Sequence, residues 1–158
     1  VFVANHEVLK GHFSSFGATF TEGIAAYKLF AYTGKRKYRR YARSATKRLQ
    51  GWAKQDVANC QPIASCLQGE SIAAADTKKC RKSDFVCEYE NAIKLAQELG
   101  VWSWEAQFQE RAFQVLLHNY SDEASAIPYL RAAVLSYEKW EAFAKVESLK
   151  RLHGRFLC

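Results

Sequence analysis

The sequence predicts an all-α fold, with antiparallel helix pairs stacked as a short α-solenoid. Three observations carry this. Small and large apolar residues alternate at helical spacing through Ala126, Leu130, Ala133, Tyr137 and Trp140, the stripe one helix of a stacked pair needs. Turn punctuation is sparse: 158 residues hold two prolines and eight glycines against 49% apolar residues, which favours long helices over many short strands. No segment keeps a period-two alternation, and neither Asn-Gly nor Asp-Gly occurs.

The elements follow in order. A first helix is expected from Phe2 to Phe16, with Val8, Leu9, Phe13 and Phe16 on one side. Thr19 and Glu22 have the spacing of a capping box, so a second helix is expected from there to Thr33, burying Ile24, Tyr27, Leu29 and Phe30. Gly34 stands where that helix stops. A third runs from Lys35 to Lys54 with Tyr38, Tyr41, Ala45, Leu49 and Trp52 as its apolar line. Asn59 is placed to cap a fourth, whose first turn tolerates Pro62 because the early N–H groups have no intrahelical partner. It carries Ile63, Cys66, Leu67 and Ile72, and the polar run from Asp76 to Lys82 is a turn. A fifth helix spans Ser83 to Leu99 and stops at Gly100. Ser103 caps a sixth to Asn119. Ser121 or Asp122 opens a seventh that stays helical, with a bend at Trp140, to His153. Short connections make consecutive helices antiparallel, and residues 1–158 read as one helical-repeat domain.

The formal net charge of +7 fits an acidic protein partner, a nucleic acid or an anionic membrane surface, and equally a plain solubility effect. A start at Val1 with no methionine in the chain points to a processed protein or a piece of a longer one. No segment approaches the roughly 18 uninterrupted apolar residues of a membrane span. His6, Glu7, Lys10 and His12 exclude a signal peptide over the first twenty positions. The cysteines Cys60, Cys66, Cys80, Cys87 and Cys158 are odd in number and irregular in spacing, so a secreted disulfide framework is not expected. No C-x-x-C is present to seat a structural zinc. Cys66 and Cys87 fall on apolar helical faces and are expected to be buried; Cys60–Cys80 and Cys80–Cys87 are the conceivable bridges. The expected location is intracellular and reducing, in cytoplasm or an organelle interior.

Two segments overlay. Phe85, Tyr89 and Ala92 parallel Ala126, Leu130 and Ala133, a degenerate form of the small–aromatic–small core of the second helix in a tetratricopeptide unit, with Phe85 at a small position, Leu130 at the aromatic one and a separation of 41 residues rather than 34. The region from Phe20 to Leu152 resembles the tetratricopeptide-like helical repeats of large signalling "predicted ATPases", multidomain proteins often fused to kinase or nucleotide-cyclase modules. The likeness rests on ordered blocks: Leu49 with Trp52 and then Asn59; Leu67 to Glu70; Tyr89, Ala92, Ile93 and Ala96 with Gly100; Glu105, Ala106 and Glu110; and Tyr129 through Leu149 with Trp140, Ala142 and Ala144. The family commonly has Gly where this chain has Glu141, which permits a more continuous helix here, and Pro62 replaces a histidine. No G-x-x-x-x-G-K-[ST] occurs, so the ATPase module is missing. The resemblance implies an interaction module. It transfers no catalytic residue and no cofactor.

The sharpest surface feature is nine basic residues between Lys35 and Lys54 with no acid among them. Arg36, Arg40, Arg43 and Lys47 share one helical stripe, flanked by Lys35, Arg39 and Arg48. Like charges at these spacings repel by roughly 0.2–0.5 kcal/mol each, a strain an anionic partner relieves. The competing reading is a solvated face. Tyr38 and Tyr41 resemble stacking platforms for bases, yet their spacing to Ala45, Leu49 and Trp52 places them in the core. His6 and His12 do not share a helical face, so no metal site is read there. His118 and His153 fall at helix ends, where free carbonyls await a donor. Trp104 and Trp140 are expected between helices, and Trp102, after Gly100, nearer the surface. No nucleophile–base–acid set is visible. The expected function is a non-enzymatic protein–protein scaffold or complex subunit whose basic helix meets an acidic protein surface. The alternative is a helical nucleic-acid-binding protein using Lys35–Lys54, and an anionic lipid surface is a further candidate.

Overall fold

The computed structural model describes residues 13–55, 57–74 and 81–157. Every element among them is helical: α1 Phe13–Thr33, α2 Arg36–Ala53, α3 Cys60–Ala73, α4 Lys82–Glu98, α5 Trp102–Asn119, α6 Glu123–Lys139 and α7 Phe143–His153, with a 3-10 turn at Gly154–Phe156. The chain gathers into two compact units, residues 1–80 and 81–158.

In the first unit α1 packs on α2, and α3 packs on both. The break expected at Thr19 does not form, and α1 runs unbroken to Thr33. Ser15, Thr19, Gly23, Ala26 and Tyr27 make one continuous buried stripe, and that burial outweighs the local capping signal. The Thr21 hydroxyl donates back to the Gly17 carbonyl at 2.9 Å instead of capping anything. Of the four residues expected to be buried here only Tyr27 is; Leu29 is exposed, and Ile24 and Phe30 are half-covered. The part of the expected first helix before residue 13 lies outside the described residues.

The apolar line of α2 is rotated from the expected one. Ala42, Ala45, Thr46 and Leu49 are buried, whereas Tyr41 is 59% exposed and Tyr38 half-covered. The reason lies across the interface. A Cβ built on Gly23 would stand 3.3 Å from the Ala45 Cβ, so α1 and α2 approach too closely for a tyrosine ring between them. Small residues therefore take the interface and the ring turns to solvent. A hydroxyl pair in this seam is oriented. Thr46 donates to the Ala42 carbonyl at 3.0 Å, so Tyr27 donates to Thr46, also at 3.0 Å. Asn59 stands at the start of α3 without a side-chain cap bond.

In the second unit α5 packs on α4 and α6, and α7 on α6. Phe85 meets Tyr120 at a ring distance of 5.6 Å, and Gln97 bonds Glu105, so α4 and α5 run antiparallel. Lys82 bonds Asp122, and Tyr129 bonds Glu90, so α4 and α6 run parallel with an offset near the sequence repeat. Phe85, Tyr89 and Ala92 on α4, and Ala126, Leu130 and Ala133 on α6, are all fully buried. The likeness extends to the helix ends. Gly100 closes α4 at φ 67° and Glu141 closes α6 at φ 59°. Each is followed by the same pair of bonds, Val101 N–H to Ala96 and Gly100 to Gln97 in one, Ala142 to Tyr137 and Glu141 to Glu138 in the other. Glu141 thus ends a helix where a continuous one was expected, in the left-handed conformation that glycine takes without strain. Trp140, at this corner, is 46% exposed rather than packed between helices. Asp122 caps α6 as expected, accepting from the Ser125 amide at 3.0 Å. Ser103 lies inside α5, which Val101 opens.

Candidate functional site

The basic face of α2 follows from its packing. Ala42, Ala45, Thr46 and Leu49 turn toward α1 and α3, which leaves Arg36, Arg40, Arg43 and Lys47 exposed along about 16 Å of helix. Among the described residues these four have no ion-pair partner. Lys35 is exposed just before the helix. Two of the flanking cations are engaged. Arg48 donates to Glu22 of α1 at 2.7 Å, and Arg39 lies over the Phe30 ring, 5.6 Å from its centre. The exposed Tyr41 sits among the cations, and Tyr32, at the end of α1, is 90% exposed.

The second unit carries a groove of about 660 Å³ between α4 and α6, lined by Val86 and Ile93 on one side and Pro128 and Ala132 on the other. Two side-chain bonds span it: Lys82 to Asp122, and Tyr129 to Glu90 at 3.2 Å. Burial, then the Glu90 charge, pushes the Tyr129 hydroxyl up to about 12. Gln109 lines the groove from α5 and is 5% exposed.

A polar knot ties α5, α6 and α7. Glu110 accepts from Tyr137 at 2.7 Å, Lys145 at 2.8 Å and Gln114 at 3.0 Å. His153 lies beside it against Phe113, its basicity lowered mainly by burial. Every acceptor in this knot is met, the arrangement of a structural pin. Cys60 and Cys66 are buried thiols outside any disulfide, and burial pushes the Cys60 thiol up to about 11. Cys87, expected to be buried, is free and exposed. Cys80 and Cys158, like His6 and His12, lie outside the described residues. Among the described residues no three His, Cys, Asp or Glu side chains gather as a metal site would require. No helix among them is long and apolar enough to cross a membrane. Trp102 is 38% exposed, with the Lys139 ammonium 3.1 Å from its ring centre.

Sequence spacing found the cations of α2. It placed Tyr41 in the core because the face of a helix depends on what packs against it. It missed Gln109, which carries no motif. Comparison of the chain with protein-family models, with curated proteins and with solved structures finds no match.

Proposed function

We propose that this chain is a non-enzymatic helical-repeat scaffold or assembly subunit whose α2 face contacts an acidic protein surface. The observation that carries the reading is the row Arg36, Arg40, Arg43 and Lys47, exposed and without ion pairs among the described residues. Four aligned cations on a rigid helix steer an anionic surface into register and raise its encounter rate. The tetratricopeptide-like solenoid and the likeness to signalling-ATPase repeats belong to the same proposal. They are supported by the paired cores and matching helix ends of α4 and α6.

Nucleic-acid binding is the second reading, and Tyr41 favours it. An exposed ring between cations is the combination that stacks a base while holding its phosphate.

One experiment separates these readings. The chain and its Arg36→Gln, Arg40→Gln, Arg43→Gln, Lys47→Gln variant are tested with an aspartate- and glutamate-rich 20-residue peptide and with a single-stranded 20-nucleotide probe, at two salt concentrations. The scaffold reading expects the peptide to associate at least about tenfold faster with the parent at low salt. It also expects unchanged folding, since Gln is nearly as good a helix former. Equal association rates leave α2 a solvated face. Tighter binding of the oligonucleotide, with a log–log salt slope near −0.7 per neutralised phosphate, supports the second reading.

A further inference from the structure

The exposed face of α2 is patterned, and the pattern describes what fits it. Arg36, Arg40, Arg43 and Lys47 follow one another at intervals of four, three and four residues. With the rise of an α-helix, the steps along the axis are about 6, 4.5 and 6 Å. Ser44 and Gly51 stand beside this row, one heptad apart and both exposed. A Cβ built on Gly51 meets nothing within 4 Å. The helical period turns both outward, opposite the buried Ala42, Ala45 and Leu49. The surface of α2 is therefore low where a partner would approach it. The cation row runs along one flank, and Lys37 and Tyr41 stand on the other.

The row and its surroundings select among anionic partners. A single-stranded nucleic acid needs rings on which successive bases stack. Among the described residues of α2 one ring, that of Tyr41, is exposed, and Ser44 and Gly51 take the outward positions instead. A lipid surface takes apolar side chains together with cations, and Ser44 and Gly51 offer none. An extended peptide presents its same-side carboxylates at an even step of about 6.6–6.8 Å, so four of them overrun the row. An α-helix with acids at i, i+4, i+7 and i+11 repeats the uneven steps because it has the same rise, and its four acids share one stripe as the four cations do. Small side chains at Ser44 and Gly51 let a second helix axis come close. The order four, three, four reads the same from either end, and the helix dipoles favour the antiparallel direction. We propose that the acidic surface met by α2 is a single α-helix of a partner protein lying along it. Four carboxylates of that helix meet Arg36, Arg40, Arg43 and Lys47, and small residues pass over Ser44 and Gly51. This rests on the α2 contact proposed above and adds the form of the partner.

The test uses the full chain, labelled with nitrogen-15, at low salt and low temperature. Two blocked alanine-based peptides of about 22 residues, long enough to be helical, carry four glutamates each. In the first the glutamates stand at i, i+4, i+7 and i+11; in the second the same residues are rearranged so that the glutamates are spread around the helix. The expected result is saturable shifts of the Arg40, Ser44 and Gly51 amides with the first peptide, and a gain of peptide helicity by circular dichroism. The second peptide should bind at least about fivefold more weakly, since it brings fewer acids to the row at once and each exposed pair contributes little. Ser44→Phe keeps every charge and raises the low surface. It should weaken the first peptide by a similar factor while the second is unaffected. Equal affinity of the two peptides for the parent chain overturns the helical partner and leaves the acidic contact standing. Binding of neither peptide overturns both. Tighter binding of a single-stranded 20-nucleotide probe than of the first peptide also overturns the helical partner, by assigning the face to nucleic acid. Should Ser44→Phe fail to fold, the two peptides on the parent chain decide by themselves.

Discussion

Tyr137 donates a 2.7 Å hydrogen bond to Glu110, and this bond joins α6 to α5 inside the second unit. Tyr137 is 3% exposed, and burial followed by its hydrogen bond to Glu110 holds its hydroxyl protonated far above the ordinary phenol range. Tyr137→Phe keeps the ring and removes the donor, leaving Glu110 Oε2 without the bond while Lys145 and Gln114 still serve Oε1. The expected cost is about 1–3 kcal/mol. A lower urea midpoint with an unchanged slope would show it. An unchanged midpoint would mean that water replaces the hydroxyl at no cost.

Glu141 occupies at the end of α6 the position Gly100 occupies at the end of α4, with φ 59° against 67°. A side chain there crowds the following carbonyl, and glycine does not. Glu141→Gly should stabilise the chain by about 0.5–1 kcal/mol, contrary to the usual effect of introducing glycine. Thermal melting reads the sign directly. A loss of stability would show that the Glu141 side chain contributes more than its backbone costs.

Asp122 accepts from Lys82 and Ser125, and these bonds, Lys82 foremost, hold its carboxyl down to about 2 from the ordinary 3.8. A lowered acid stabilises the fold only while ionised. Its contribution is complete above the unfolded value of 3.8 and is lost as pH falls through about 2. Carboxyl carbon-13 shifts followed during acid titration should place the midpoint near 2. In Lys82→Met the midpoint should move back toward 3.8. An ordinary midpoint in the parent chain would remove the Lys82–Asp122 bond from the account of the groove.

The sequence by itself determined what depends on neighbours along the chain. The helical period needs only the spacing of apolar residues, so α2 to α5 lie close to where they were expected and α6 begins where it was expected. Gly34 and Gly100 stop helices because a left-handed residue ends the hydrogen-bond ladder wherever the helix packs. Asp122 caps α6 with its own side chain. The triplets at Phe85 and Ala126 were legible as cores because burial on all sides leaves a strict pattern of sizes. The cations of α2 were legible as a row because charge and period are both local.

The tertiary structure decided which face turns inward and which local signals prevail. Thr19 has a capping residue's chemistry, yet a stripe packed against α2 and α3 made it a buried helical residue. Tyr41 lost the core to Ala42 because Gly23 and Ala45 bring two helices too close for a ring. Glu141 reads as a helix former and ends a helix, because the turn into α7 requires a left-handed residue whatever its identity. Gln109 carries no signal in the chain. Its unmet oxygen exists because Glu105, which also accepts from Gln97, takes the other end of its amide. Such a need is a property of helices packed together, and no spacing along one of them records it.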